Sequence, residues 1–489
     1  MAPKSVFTWL CLLMPILFVA CTPSSRPSPT ADQKSISTAV AATLNAASTA
    51  TQQALLTSRP TQAFTTTPAP TQTHIVPPSA TPTITPIPTI LTTPSVELVA
   101  YTKYSDVHLW SLAIGSTRLT DMHDVVSVRL STDGSLVAFK RQDPEETKQQ
   151  ELWVVNSVGV PNPIQLVSSD DLAALIPANP SQNILGYGVY NYEWRPGTHQ
   201  LAYNTMVLHE GPGFGSNRDL RLVDADTLLK TVIFNKGEGG LFYYSPDGNQ
   251  IALSKSESIS LVKADGSNLR PDLLTYPNVI TYSDYEYQPQ PIWAQDSSAL
   301  GVAIPPHDPL GDPAPLTGLW RIPLDGSPAV LLSSVPAIAF AWPDDAFSPD
   351  LTLVAYSSDA IGAEPDLRDL HISNPDGTGD GIYASGESLQ FISWSPDSQH
   401  FLYKIQGSSA EGIYIGGPAG SPIQLIADSH SVGDILWLDG TRIVYLVKKT
   451  DQWELHLSNL KAEELALIDT IPDTRPHFDV VNYLEAIAH

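Results

Sequence analysis

Short apolar runs alternate with polar turns along most of the chain, and they recur in a fixed order. FYYSPDGNQIALSK (Phe242–Lys255) places Ser, Pro, Asp and Gly between two strand-like runs. FISWSPDSQHFLYKI (Phe391–Ile405) is a near copy. Degenerate copies are VRLSTDGSLVAFKR from Val128, YEWRPGTHQLAYNT from Tyr192, PIWAQDSSALGVAI from Pro291, DAFSPDLTLVAYSS from Asp345 and ILWLDGTRIVYLVK from Ile435. Each reads as strand, tight turn, strand. A third run with period-two alternation follows every copy, as in QELWVVNS, RDLHISNP and WELHLSNL. A fourth short run such as PIQLV or PIQLI closes the unit. Four antiparallel strands per roughly 50 residues is the arithmetic of a propeller blade.

The copies also expose a gap. ELVAYTK (Glu97–Lys103), DVHLWSLA and STRLT supply the second, third and fourth strands of one more unit, whose first strand is missing. A ring must close to leave no free edge. HFDVVNYL (His477–Leu484) is therefore expected to complete that unit, giving an all-β propeller of eight four-stranded blades, or seven if one repeat is parsed wrongly. The WSPD, YSPDG and FSPD turns, followed by IALS- or VAYS-like strands, resemble the WD40-like PD40 repeats of TolB-type propellers. They are also similar to the propeller domain of prolyl and dipeptidyl peptidases, without their hydrolase. The resemblance spans residues 96–489 and implies architecture, not activity.

The remaining chain is of another kind. Val6–Ala20 is a 15-residue apolar run after Lys4, too short to span a bilayer, and it ends in FVAC. This resembles a lipoprotein signal (residues 1–20) with Cys21 as the lipidated first mature residue; an ordinary secretory signal cleaved nearby is the alternative. The other Cys, Cys11, lies in the segment to be removed. Residues 21–95 form a Thr/Pro-rich linker: 19 Thr and 12 Pro between Thr22 and Ser95 leave too little apolar surface to fold, although Ser35–Leu56 has helix-like spacing. The expected location is outside the cytoplasm, on a membrane reached only through the N-terminal lipid.

Charge narrows the partners. Residues 96–489 hold 22 basic and 50 acidic side chains. So acidic a domain would repel nucleic acid and anionic lipid, while cationic peptides, metal ions and neutral sugars remain open as ligands. Ser245 is no nucleophile, because equivalent serines recur at Ser131, Ser348 and Ser395; a turn explains all four. Strand order puts short turns on one face and long loops on the other, so any site belongs with the loops. Tyr285, Tyr287, His307, Trp342, Asp345 and His430 are the candidate ligand-binding residues there, since rings beside carboxylates suit sugars and cationic groups. The alternative is that they are solvated loop residues. No His pair has metal-ligand spacing, so neither metal nor other cofactor is expected. NPDGTGDG (Asn374–Gly381) reads as a hairpin turn before a calcium loop, because Ser385 stands where the closing Glu should be. The leading expectation is a monomeric, non-enzymatic scaffold that binds a protein, peptide or glycan. The alternative is a glycan-acting hydrolase or lyase with carboxylates in the central loops.

Overall fold

The computed structural model describes residues 95–484, apart from residues 143–149, 179–182, 211–213, 282–285, 312–315, 337–345, 361–366, 408–409, 418–419 and 473–474. The signal segment, Cys21 and the linker lie outside the described residues. No helix among the described residues is long and apolar enough to cross a membrane.

Eight antiparallel sheets form the eight blades of a propeller. From the inside outward, blade 2 is Val125–Leu130, Leu136–Gln142, Gln150–Asn156 and Ile164–Val167. Blades 3, 4, 5, 7 and 8 have innermost strands Ile184–Trp194, Leu241–Tyr244, Ile292–Trp293, Gln390–Trp394 and Val432–Trp437. Blade 5 begins with only two residues because Pro289 and Pro291 lack the N–H that a longer ladder needs. In blade 6 the innermost strand shrinks to a single bridge between Phe347 and Val354.

Blade 1 closes the ring as the missing strand requires. Phe478–Leu484 pairs antiparallel with Ser95–Lys103, from Tyr101 opposite Phe478 to Ser95 opposite Leu484. The closure is also ionic: Lys103 Nζ lies 2.7 Å from Asp469 of blade 8, and the Tyr101 hydroxyl donates to the same carboxylate at 2.6 Å. Core clusters form between neighbouring sheets. Val99 and Tyr101 pack with Val444, Leu446 and Leu455 of blade 8, while Leu98 and Ala100 pack with Val128, Val137 and Phe139 of blade 2.

The repeated turn is a closed hydrogen-bonding unit. Ser131, Ser245, Ser348 and Ser395 are fully buried. Each hydroxyl donates to the Asp two residues on, at 2.6–2.7 Å. Each Asp in turn accepts the N–H two residues beyond itself, at 3.0–3.1 Å. The turn needs a left-handed residue, which is Gly134 or Gly248 in two copies and Leu351 or Ser398 in the others. Two of the turns also bind the next blade, through Asp247 N–H to Ser297 Oγ and Asp350 N–H to Ser398 Oγ. Asn374–Gly381 is a hairpin turn between two strands of blade 6, with Asn374 N–H donating to Thr378 at 3.0 Å.

Candidate functional site

Innermost strands line a channel, and their inward positions are normally apolar. Four of them break this rule with Arg129 in blade 2, Glu193 in blade 3, Asp434 in blade 8 and Asp479 in blade 1. A cavity of ≈ 500 Å³ opens among them, lined by Arg129, Asp434, Asp479, His477, Lys404 and apolar residues including Ile392. Most of its lining comes from the starts of innermost strands, which places it on the long-loop face.

Local backbone irregularity makes the room. The ladder slips between Phe391 and Ser393 in blade 7 and between Val432 and Ile435 in blade 8. The residues passed over, Ile392, Gly433 and Asp434, line the cavity. Gly433 has no alternative there, because a Cβ would meet the Trp453 ring at 2.9 Å. The seam between blades 7 and 8 differs in another way. Trp194, Trp293 and Trp394 end their innermost strands and each donates an indole N–H to the preceding blade, at 3.1–3.3 Å. The matching Trp437 Nε1 is buried with no partner among the described residues.

The charged groups are individually positioned. Val128 N–H donates to His477 Nδ1 at 3.2 Å, so the neutral ring carries its proton on Nε2. Burial, assisted by Arg129, pulls the His477 pKa down. Leu130 N–H donates to Asp479 Oδ2 at 2.8 Å. Arg129 sits 3.3 Å from Glu193, with both side chains 38% exposed to the channel yet deep among protein atoms. That depth pushes the Glu193 carboxyl up, against the pull of Arg129. Lys140 stands close behind; burial first, and then Arg129, lower its ammonium to about 8. Its Nζ donates to the Tyr190 carbonyl at 3.2 Å. Lys404 is also pulled down by burial, against the attraction of Glu411.

Other constellations reduce to structure. Ser358 Oγ lies 3.1 Å from His371 Nε2, and His371 Nδ1 lies 3.2 Å from Asp380, the spacing of a hydrolytic triad. However, His371 stacks on Tyr356 across two strands at 4.7 Å, and His456 does the same on Tyr445 at 5.4 Å, beside Glu464. Tyr101 and His108 form a third such pair. The arrangement belongs to the repeat. Asp106, Asp121 and His123 offer metal-ligand atoms, but the Arg118 guanidinium bonds both carboxylates and supplies their positive charge. In the other such group, Glu411 pairs with His430 Nδ1 at 2.6 Å while Asp428 accepts the N–H groups of His430 and Ser431.

Of the six residues anticipated from sequence, Tyr287, His307 and His430 do not line the cavity. Tyr285, Trp342 and Asp345 lie outside the described residues. Tyr287 is half-buried, and His307 is exposed with Nδ1 2.5 Å from the Asn278 carbonyl. His430 forms the loop clasp with Glu411. The signal missed was a charge inside an apolar innermost strand, as in SVRL, YEW, VGDILW and HFDVV.

The chain matches no protein-family model and no curated protein. Among solved structures, it is similar in fold to an oligogalacturonate lyase in complex with manganese, with 15% identity over 64% of this chain and 82% of the other, at a TM-score of 0.42. The oligogalacturonate lyase of Vibrio parahaemolyticus gives 13% over 64% and 83%, at 0.43. TolB from Acinetobacter baumannii gives 12% over 58% and 62%, at 0.31. The eight-bladed propeller expected from the repeats is found. The expectation that the chain is not an enzyme is corrected: carboxylates, a histidine and cations meet in one cavity instead of being dispersed.

Proposed function

We propose that the chain is a glycan-acting hydrolase or lyase, held outside the cytoplasm by a lipid on Cys21, with its site at the channel mouth. The observation that carries this reading is the convergence of Asp434, Asp479, His477 and Arg129 on one cavity of ≈ 500 Å³, a volume suited to a small ligand or a few sugar rings. Breaking a glycosidic link needs a proton acceptor and a proton donor on opposite sides of the bond. Asp434 and Asp479 are the two carboxylates on the wall. Arg129 and Lys404 would steady oxygen atoms that gain charge, and His477 presents an Nε2–H donor. Glu193 is a positioning residue that holds Arg129.

The test is incubation of the purified chain with a panel of neutral and acidic glycans. New reducing ends mark a hydrolase, and the ultraviolet absorbance of an unsaturated uronate marks a lyase. Asp434→Asn and Asp479→Asn should each lower kcat by about 10²–10⁴-fold. Absence of turnover across the panel would overturn the reading. The anchor is tested by mass spectrometry of the mature N-terminus, which an unmodified start away from Cys21 would contradict.

A further inference from the structure

The cavity is set apart from the rest of the domain by its cations. With 50 acidic and 22 basic residues after position 95, carboxylates outnumber their partners more than twofold. Yet Lys140 and Lys404 sit half-buried at the channel mouth, and no carboxylate of the described residues lies within 4.0 Å of either ammonium. Lys404 lines the cavity itself, and Lys140 stands close enough to the lining residues Arg129 and His477 to perturb both charges. The acids nearby are already engaged: Glu193 by Arg129, Asp479 by the Leu130 N–H and Asp434 by Arg475 at 2.6 Å.

A desolvated ammonium without a counter-charge is costly, and natural chains seldom keep one except where something else supplies the charge. We propose that the glycan taken at this site is anionic, and that Arg129, Lys140 and Lys404 receive its carboxylate or sulfate groups. This rests on the glycan reading above and adds its charge class. Arg129 and Lys404 line the cavity from blades 2 and 7, and Lys140 stands beside Arg129 in blade 2, so charges spaced along one chain would meet them in turn. A neutral glycan of equal length would leave both lysines unpaired.

The experiment is calorimetric titration of the full chain with three probes of matched length: an oligouronide, a sulfated oligosaccharide lacking uronate, and a neutral oligosaccharide. Inorganic sulfate and phosphate serve as simple anions. The acidic probes should bind at least tenfold more tightly than the neutral one, and the stronger of the two identifies the group recognised. Lys404→Gln and Lys140→Gln should each weaken acidic binding by about tenfold or more, and far more than they weaken neutral binding, while Lys404→Arg retains acidic binding. Thermal melts of each variant separate lost charge from lost fold. Equal affinity for neutral and acidic probes overturns the inference and leaves the glycan reading standing. Binding of simple anions with no oligosaccharide bound upholds the cationic site and overturns the glycan reading instead.

Discussion

The channel mouth and the four turns that join a buried Ser to the Asp two residues on are made from the same repeat and treat it in opposite ways. At Ser131, Ser245, Ser348 and Ser395 every copy keeps the same buried hydroxyl, the same Asp acceptor and the same bond lengths to within 0.1 Å. At the mouth, no two blades agree: Arg129, Glu193, Asp434 and Asp479 each stand in a strand position that other blades fill with apolar groups. A residue that recurs in several blades with the same bonds is there for the blade. A residue that one blade has against its own interest, since burying charge costs stability, is there for something else. The Ser358–His371–Asp380 set shows why geometry alone is insufficient, because its distances suit catalysis while its Tyr–His pair recurs in blades 1 and 8 as packing.

The comparison can be broken most forcefully at the ring closure. Truncation after Pro476 removes the strand that pairs with Ser95–Lys103 and leaves both its edges and its core neighbours open. Loss of cooperative unfolding by circular dichroism is expected, and an unchanged melting temperature would contradict the closure. Next come the turns: Ser245→Ala deletes a buried hydroxyl that bonds Asp247 and the Gln250 N–H, and should cost about 1–3 kcal/mol by denaturant titration.

Acid should act on the same turns. Burial works against the charged Asp133, but Ser131, Ser135 and His199 outweigh it and hold the carboxyl at about 2. Its stabilisation is complete above the unfolded value near 3.9 and disappears as pH falls towards 2. Asp247 and Asp350 are lowered in the same way, with burial again opposing the serine hydroxyl and backbone N–H bonds. Stability should therefore drop between about pH 4 and pH 2, less so in Asp133→Asn.

Lys140 should cost stability at neutral pH, where the turn aspartates contribute it, although both make stability rise with pH in their own windows. Its folded value of about 8 lies below the unfolded value near 10.4, so the unfolded chain binds more protons between them and stability rises with pH across that window. Arg129, His477, Glu193 and Asp479 are the charged groups around it, with Tyr192 beneath. Lys140→Met should raise stability at pH 7 by on the order of 1 kcal/mol and flatten the alkaline rise. Smallest is the indole series: Trp194→Phe loses a bond worth about 1 kcal/mol, whereas Trp437→Phe loses none and should be close to neutral.

The fold was legible because a propeller states itself eight times. Period-two alternation and the Asp-centred turns located the blades, and counting second strands against first strands located Phe478–Leu484. Loop lengths pointed to one face. Attention to loops favours exposed rings and histidines such as His307 and His430, and the structure ties these two to local partners. Arg129 and Asp479 sit inside strands that look like core, and only register and neighbouring blades show that they point charge at one another. The slips at Phe391/Ser393 and Val432/Ile435 leave no mark on the apolar pattern.

The central claim is that the break in the repeat marks the site while the triad geometry built on the repeated Tyr–His pair does not. It is tested most directly by turnover of an acidic glycan in two variants measured side by side. Asp479→Asn keeps an acceptor for the Leu130 N–H and so keeps the closing strand, yet should lose about a hundredfold or more in kcat. Ser358→Ala should turn over at the rate of the unaltered chain. Loss of turnover in Ser358→Ala with Asp479→Asn fully active would contradict the account.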